Sequence, residues 1–293
     1  MNAVHRNHPI GSQTVSRLRA ESVTLAYDGR TIAEDLSVTV PDHSFTVVVG
    51  PNACGKSTLL RALARMLKPR AGAVLLDGAA IGSYPARTVA RTLGLLPQSS
   101  VAPDGITVAD LVARGRHPHQ GLLRQWSEED ERIVGEAMAA TGVSALAGRH
   151  VDELSGGQRQ RVWIAMALAQ CTPLLLLDEP TTYLDIQHQI DLLDLLADLH
   201  EEEGRTLVAV LHDLNQAARY ATHLIAMRDG KVVAAGPPAQ IVTEELVEEV
   251  FGVRCQVIDD PQSGTPLVVP AARRKGATKS SAGAARPSTT PSA

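Results

Sequence analysis

The run Phe45-Thr46-Val47-Val48-Val49 passes straight into Gly50-Pro51-Asn52-Ala53-Cys54-Gly55-Lys56-Ser57-Thr58, and no other junction limits the fold as much. A near-continuous apolar strand has no polar face to offer water, so it belongs in a sheet covered on both sides. Glycines at 50 and 55 let the backbone curl until several N–H groups point at one place. Leu59, Leu60, Leu63 and Leu67 follow at helical spacing, which predicts a helix stopping near Pro69 with its positive end toward the curl. Strand, curl and helix start make a cradle for a phosphate chain. Gly50, Pro51, Asn52, Ala53, Cys54 and Gly55 supply the loop. Lys56 is spaced to reach the β- and γ-phosphates as a point charge, Ser57 to hold Mg²⁺ through its hydroxyl, and Thr58 to add a phosphate contact. Cys54, close to Lys56, is expected to favour its thiolate, and its alkylation to block nucleotide binding.

The rest of the chain alternates buried strands and helices, the pattern of a mostly parallel sheet. Val23 to Tyr27 and Leu36 to Val40 read as strands, with a hairpin signal at Asp28-Gly29. Gly72 to Gly78, Leu93 to Leu96, Leu174 to Leu177 and Thr206 to Leu211 read as further strands, and Ile186 to His200 as a helix. Leu224 to Met227 and Lys231 to Ala234 form a closing hairpin around Asp229-Gly230. Residues 99–170 change character, with Ala, Arg and Glu at helical spacing, and read as a helical insert.

A second glycine turn, Leu154-Ser155-Gly156-Gly157-Gln158-Arg159-Gln160-Arg161, opens an Ala-rich helix from about Gln158 to Ala169. It too offers exposed N–H groups and a hydroxyl to an anion, so the chain carries two phosphate-binding helix starts. Between them and the next helix, Leu174-Leu175-Leu176-Leu177 delivers two adjacent carboxylates to a sheet edge. Neighbouring strand residues point opposite ways, so Asp178 can help hold Mg²⁺ while Glu179 polarises an attacking water as general base.

Together these motifs resemble the ATP-binding subunits of ABC transporters, and the resemblance covers Arg17 to Val257. It implies an α/β fold: a P-loop NTPase (RecA-like) parallel-sheet core, an N-terminal antiparallel β subdomain and a helical insert subdomain. In that family the two anion sites meet across a head-to-tail homodimer, so Ser155, Gly156, Gly157 and Gln158 would bind in trans the ATP held by the partner's loop. The resemblance also gives Gln98 as the glutamine that touches Mg²⁺ or water and senses the permease, and His212 as the switch histidine at the γ-phosphate. Tyr27 stands where the family's adenine-stacking aromatic sits, and Asp185 where an aspartate communicates across the dimer. Ala53 departs from the glycine the family often has at its position.

Thr107 to His119, Trp126 to Asp130, Thr181-Thr182-Tyr183-Leu184-Asp185-Ile186 and His212 to Ala217 resemble the importer branch for iron(III)-siderophores, haem and cobalamin, most of all the siderophore ATPases. The implied activity is ATP hydrolysis energising uptake through an integral-membrane permease, served indirectly by an extracytoplasmic substrate-binding protein. A haem or cobalamin importer, or a soluble ABC ATPase such as an iron–sulfur assembly factor, is the alternative.

Composition is consistent with that place in a cell. The 293-residue chain has a net charge of -4, which speaks against nucleic acid as a partner. Three scattered cysteines suit a reducing cytosol. No apolar run reaches the length of a membrane span, so any membrane role needs a partner that spans; the resemblance then implies a peripheral place at the cytoplasmic face of the cell membrane. Residues 1–15 and the basic tail 271–293, which has five basic residues and no acidic one, are expected to be disordered around an ATPase domain spanning 16–260.

Overall fold

The computed structural model describes residues 16–27, 29–99, 101–121 and 126–271. The expectations for 1–15, for Asp28 and for the tail beyond Ala271 lie outside the described residues. Strands β1 (Leu18–Tyr27) and β2 (Arg30–Val40) form an antiparallel pair in which Tyr27 faces Arg30. β3 (Phe45–Val49) leads through the glycine-rich loop into α1 (Lys56–Leu63). Next come β4 (Ala71–Leu76), β5 (Ala79–Ala80), α2 (Ala86–Thr92) and β6 (Leu93–Leu96). Helices α3 (Val108–Ala113), α4 (Glu128–Ala140) and α5 (Gly156–Ala169) pack on one another in the segment expected to be a helical insert. The chain returns through β7 (Leu174–Asp178), α6 (Ile186–Glu201), β8 (Thr206–Val210), α7 (Leu214–Tyr220), β9 (His223–Arg228) and β10 (Lys231–Gly236). It ends in α8 (Pro238–Ile241), α9 (Glu244–Phe251) and the antiparallel ribbon β11 (Cys255–Asp259) with β12 (Pro266–Pro270).

The central six-stranded sheet has the order β10-β9-β3-β8-β7-β6. Its strands are parallel except for the β10 edge. A second sheet, β2-β1-β4-β5, is antiparallel throughout. Side-chain alternation along the central strands divides the core in two. Val47, Val49, Leu175, Leu177 and Ala209 face the helical layer, while Val48, Leu174, Leu176, Val208 and Val210 face α1 and the antiparallel sheet. Each fully buried Leu or Val of this kind contributes roughly 1.5–3 kcal/mol of burial free energy.

Three local expectations need correction. Helix α1 ends at Leu63, short of Leu67. Arg65 adopts a left-handed backbone (φ 61) that breaks the helix, and its guanidinium donates to the carbonyls of Tyr84 and Gly82. The folded part does not stop at 260, because β12 runs to Pro270 and is clamped by Asn215 of α7, whose side chain bonds both the N–H and the C=O of Val268. Helices α2, α7, α8 and α9 have no counterpart among the sequence-based elements. Of these α9 carries a readable pattern: a Thr243 N-cap, buried Leu246, Val247 and Val250, and Gly252 at φ 70 after its end.

Candidate functional site

Four neighbouring parallel strands point their carboxyl ends the same way, and each delivers one sequence-predicted group. β3 ends at Val49, just before Gly50; β7 ends at Asp178, just before Glu179; β8 ends two residues before His212, and β6 two residues before Gln98. The crevice beyond the carboxyl ends of such strands is where open α/β sheets bind ligands. Here it is a cleft of about 480 Å³ lined by Asn52, Ala53, Gly55, Lys56, Ser57, Thr58, Gln98, Glu179, His212 and Ile32.

The loop's backbone explains its glycines. A Cβ on Gly50 would lie 2.1 Å from the carbonyl oxygen of Met227, so only glycine lets the loop pass β9. Gly55 is left-handed (φ 105) and caps α1 without a side-chain bond, leaving the first N–H groups of the helix free for an anion. Ala53 is left-handed too (φ 62), the conformation for which glycine is the default residue. Lys56 is buried, and its Nζ donates to the carbonyls of Gly50 and Pro51, both at 2.8 Å. These bonds brace the curl, and a phosphate chain in the loop would compete with those carbonyls for the Lys56 ammonium.

Cys54 overturns its sequence-based expectation. The side chain is buried, and burial pushes the thiol above its ordinary range, outweighing the favourable field of Lys56. It is a packed thiol, not an activated one.

The acidic pair splits, but not by strand alternation: β7 ends at Asp178, and Glu179 follows it in a left-handed turn. Asp178 is buried, accepts the Ser57 hydroxyl at Oδ1 (2.7 Å), and leaves Oδ2 without a partner. Burial raises its carboxyl above the usual range despite that bond and the nearby Arg61. A buried, half-satisfied carboxylate beside a serine hydroxyl is a hard-oxygen donor set suited to Mg²⁺. Glu179 has a left-handed backbone (φ 55), and its Oε1 lies 2.8 Å from Nε2 of His212. The Thr182 hydroxyl donates to its Oε2 at 3.4 Å.

The second glycine turn opens α5 two residues earlier than expected, at Gly156, and stands apart from the cleft. Ser155 caps α5 in a reciprocal box with Gln158, and Ser155 and Gly156 are exposed. Ser155, Gly156, Gly157 and Gln158 do not line the cleft. Tyr27, at the end of β1, is partly exposed and accepts a hydrogen bond from Nη1 of Arg61 at 3.1 Å; it too lies outside the lining. Asp185 caps α6, accepting from the backbone N–H of His188 at 3.0 Å. The sequence reading missed Ile32, whose Cγ2 would sit 3.3 Å from a Cβ on Gly55, and Gln160, which donates to the carbonyl of Pro180 next to Glu179. Nothing in the spacing of either residue marks it, because both act across elements distant in sequence.

Residues 33–182 match the family model described as ABC transporter. The chain belongs to that family. It is 58% identical over 270 residues to the ferric enterobactin transport ATP-binding protein FepC of Escherichia coli (strain K12), covering 92% of this chain and 100% of that one. It is 53% identical to the probable siderophore transport system ATP-binding protein YusV of Bacillus subtilis (strain 168), covering 88% and 94%. Among solved structures, the dimeric bacterial ABC transporter cassette MJ0796 aligns with a TM-score of 0.68 at 27% identity, over 75% of this ABC chain and 98% of that one. No helix among the described residues of this ABC subunit is long and apolar enough to cross a membrane.

Proposed function

We propose that this chain is the ATP-hydrolysing subunit of an importer for iron(III)-siderophore complexes, acting as a homodimer at the cytoplasmic face of the membrane beneath a permease. One observation carries the dimer: the cleft holds the phosphate loop, Gln98, Glu179 and His212 but not the second anion-binding turn at Ser155 to Gln158. A turn that its own cleft cannot use fits a partner copy, and two-fold symmetry then completes two identical sites. The siderophore cargo is supported by the transport roles in the names of FepC and YusV.

In the closed site, the loop N–H groups and Lys56 hold the phosphates, Thr58 adds a phosphate contact and Tyr27 stacks on adenine. Ser57, Asp178 and Gln98 would hold Mg²⁺, which supplies charge neutralisation at the phosphate oxygens. Glu179 orients and deprotonates the attacking water. His212 holds the Glu179 carboxylate and contacts the γ-phosphate. Asp185, at the start of α6, carries the state of one site to the other. Closure around ATP moves the permease, which docks near Gln98 and the helical insert and receives cargo from an extracytoplasmic binding protein.

The test is to purify the chain with its permease in a lipid bilayer and measure ATP hydrolysis with binding proteins loaded with ferric siderophore, haem or cobalamin. Stimulation by the ferric-siderophore form supports the proposal. Stimulation by another cargo alone overturns the siderophore assignment, and a chain that copurifies with soluble proteins only overturns the import assignment.

A further inference from the structure

The turn after Glu179 is held by a closed set of side-chain bonds that the proposed chemistry does not require. Gln189, on the first full turn of α6, donates its Nε2 to the carbonyl of Leu184 at 3.0 Å and to that of Thr181 at 3.4 Å. Two carbonyl acceptors fix the orientation of the amide, so its Oε1 faces the other way. There it accepts Nε2 of Gln216 at 3.1 Å. Gln216 lies on the first turn of α7, and its backbone N–H bonds Oδ1 of Asp213, the residue after His212. His212 closes on Glu179 at 2.8 Å, and Thr182 returns from the turn to Glu179 through its N–H (3.2 Å) and its hydroxyl (3.4 Å). The path therefore runs Glu179, His212, Asp213, Gln216, Gln189, the 181–184 backbone, Thr182 and back to Glu179.

We propose that Gln189 and Gln216 are positioning residues for ATP hydrolysis, tying the 180–185 turn to the His212–Glu179 pair. The proposal rests on the assignment of Glu179 as base. Both glutamines are half-buried and lie outside the nucleotide cleft. They are the only side-chain link among the described hydrogen bonds between α6, which starts after Asp185, and α7, which starts after Asp213, apart from the Tyr220–Asp194 bond farther along both helices. A shift of Asp185 at a dimer interface moves the Gln189 amide with α6, and the amide moves both the turn backbone and the segment carrying His212. The base then reaches its working geometry only when the turn is seated.

The test uses the full-length chain, with steady-state ATP hydrolysis over a range of ATP concentrations. Gln189→Leu and Gln216→Leu are each expected to lower kcat about tenfold with KM for ATP changed less than about twofold, because nothing in the ATP cleft is touched. The double variant is expected to be no worse than either single one, since each breaks the same ring. Gln216→Lys keeps an N–H donor toward Gln189 and is expected to recover most of the lost turnover. Equal losses in kcat and affinity, additive losses, wild-type rates in the Leu variants, or no recovery by Lys overturn the proposal. Glu179→Gln is assayed alongside. If it hydrolyses ATP normally, the base assignment fails. If it is inactive while both Leu variants are normal, only the coupling fails.

Discussion

Nε2 of His212 lies 2.8 Å from Oε1 of Glu179, joining a group just past the end of β8 to one just past the end of β7. The contact holds a carboxylate that is 12% exposed at the mouth of the phosphate cleft, on a left-handed backbone costing roughly 1–3 kcal/mol. Glu179→Gln preserves the shape and removes the basicity. Turnover is expected to fall about 10²–10⁴-fold, the usual contribution of a positioned base. ATP affinity should persist, and a dimer that accumulates with ATP on size-exclusion chromatography would accompany the loss. Loss of ATP binding in place of turnover would assign Glu179 to binding.

Asp178 sets function against stability. Its folded carboxyl titrates above the unfolded one, near pH 3.9, so between those two values the unfolded chain has released a proton that the native chain retains. Stability therefore falls as pH rises from about 4 through the folded value. Asp178→Asn keeps an oxygen for the Ser57 hydroxyl and removes the buried charge. Without nucleotide it is expected to melt about 2–4 °C higher at pH 7, corresponding to about 1 kcal/mol, with the gain disappearing near pH 4. Mg²⁺-dependent hydrolysis should be lost. A variant that melts lower at pH 7 contradicts the desolvation account.

How much of this site was legible in the sequence depends on what holds each residue. Strand ends were readable because a buried parallel strand must be an unbroken apolar run, and Leu174 to Leu177 and Phe45 to Val49 have no other use. Glycine requirements were readable because Gly50 and Gly55 serve the backbone alone. The Cys54 thiol was misjudged because the pull of Lys56 is visible in sequence, whereas burial is a property of the packed loop. The ribbon β11–β12 escaped because its strands are half exposed and its clamp, Asn215, lies on a helix far away in the chain. The Gln189–Gln216 link escaped for the same reason.

Ala53 pays a conformational penalty that a glycine would not. A left-handed backbone costs an L-residue about 1–2 kcal/mol, while the extra freedom of glycine in the unfolded chain costs about 0.5–1 kcal/mol. At φ 62 the first term wins, and Ala53→Gly is expected to stabilise the nucleotide-free protein by about 0.5–1 kcal/mol in urea unfolding. A destabilisation would mean that the methyl group makes a packing contact worth more than the strain.

Cys54 should behave as a slow thiol. With its titration raised by burial, less thiolate is present at pH 7 than in a free cysteine, and the buried side chain restricts access. Iodoacetamide labelling followed by peptide mass spectrometry is expected to modify Cys54 more slowly than N-acetylcysteine at pH 7, with the rate still rising at pH values where the free thiol has levelled off. Labelling at pH 7 faster than the free thiol would restore the activated-thiolate reading.

Tyr27 separates stacking from anchoring. Its ring offers a face to a base, and its hydroxyl accepts from Nη1 of Arg61 at 3.1 Å on the partly exposed edge of α1. Stacking one base on an aromatic ring is worth about 1–3 kcal/mol, whereas an exposed neutral-acceptor bond contributes about 0.5–1.5 kcal/mol. Tyr27→Ala removes both and is expected to weaken ATP binding about tenfold or more. Tyr27→Phe keeps the ring, frees Arg61 and should stay within about threefold of wild type. Because the ring would contact only the base, tripolyphosphate binding should be the same in all three proteins. Equal weakening of ATP and tripolyphosphate in Tyr27→Ala would place the defect in the phosphate loop, and the adenine contact would have to be sought near Ile32.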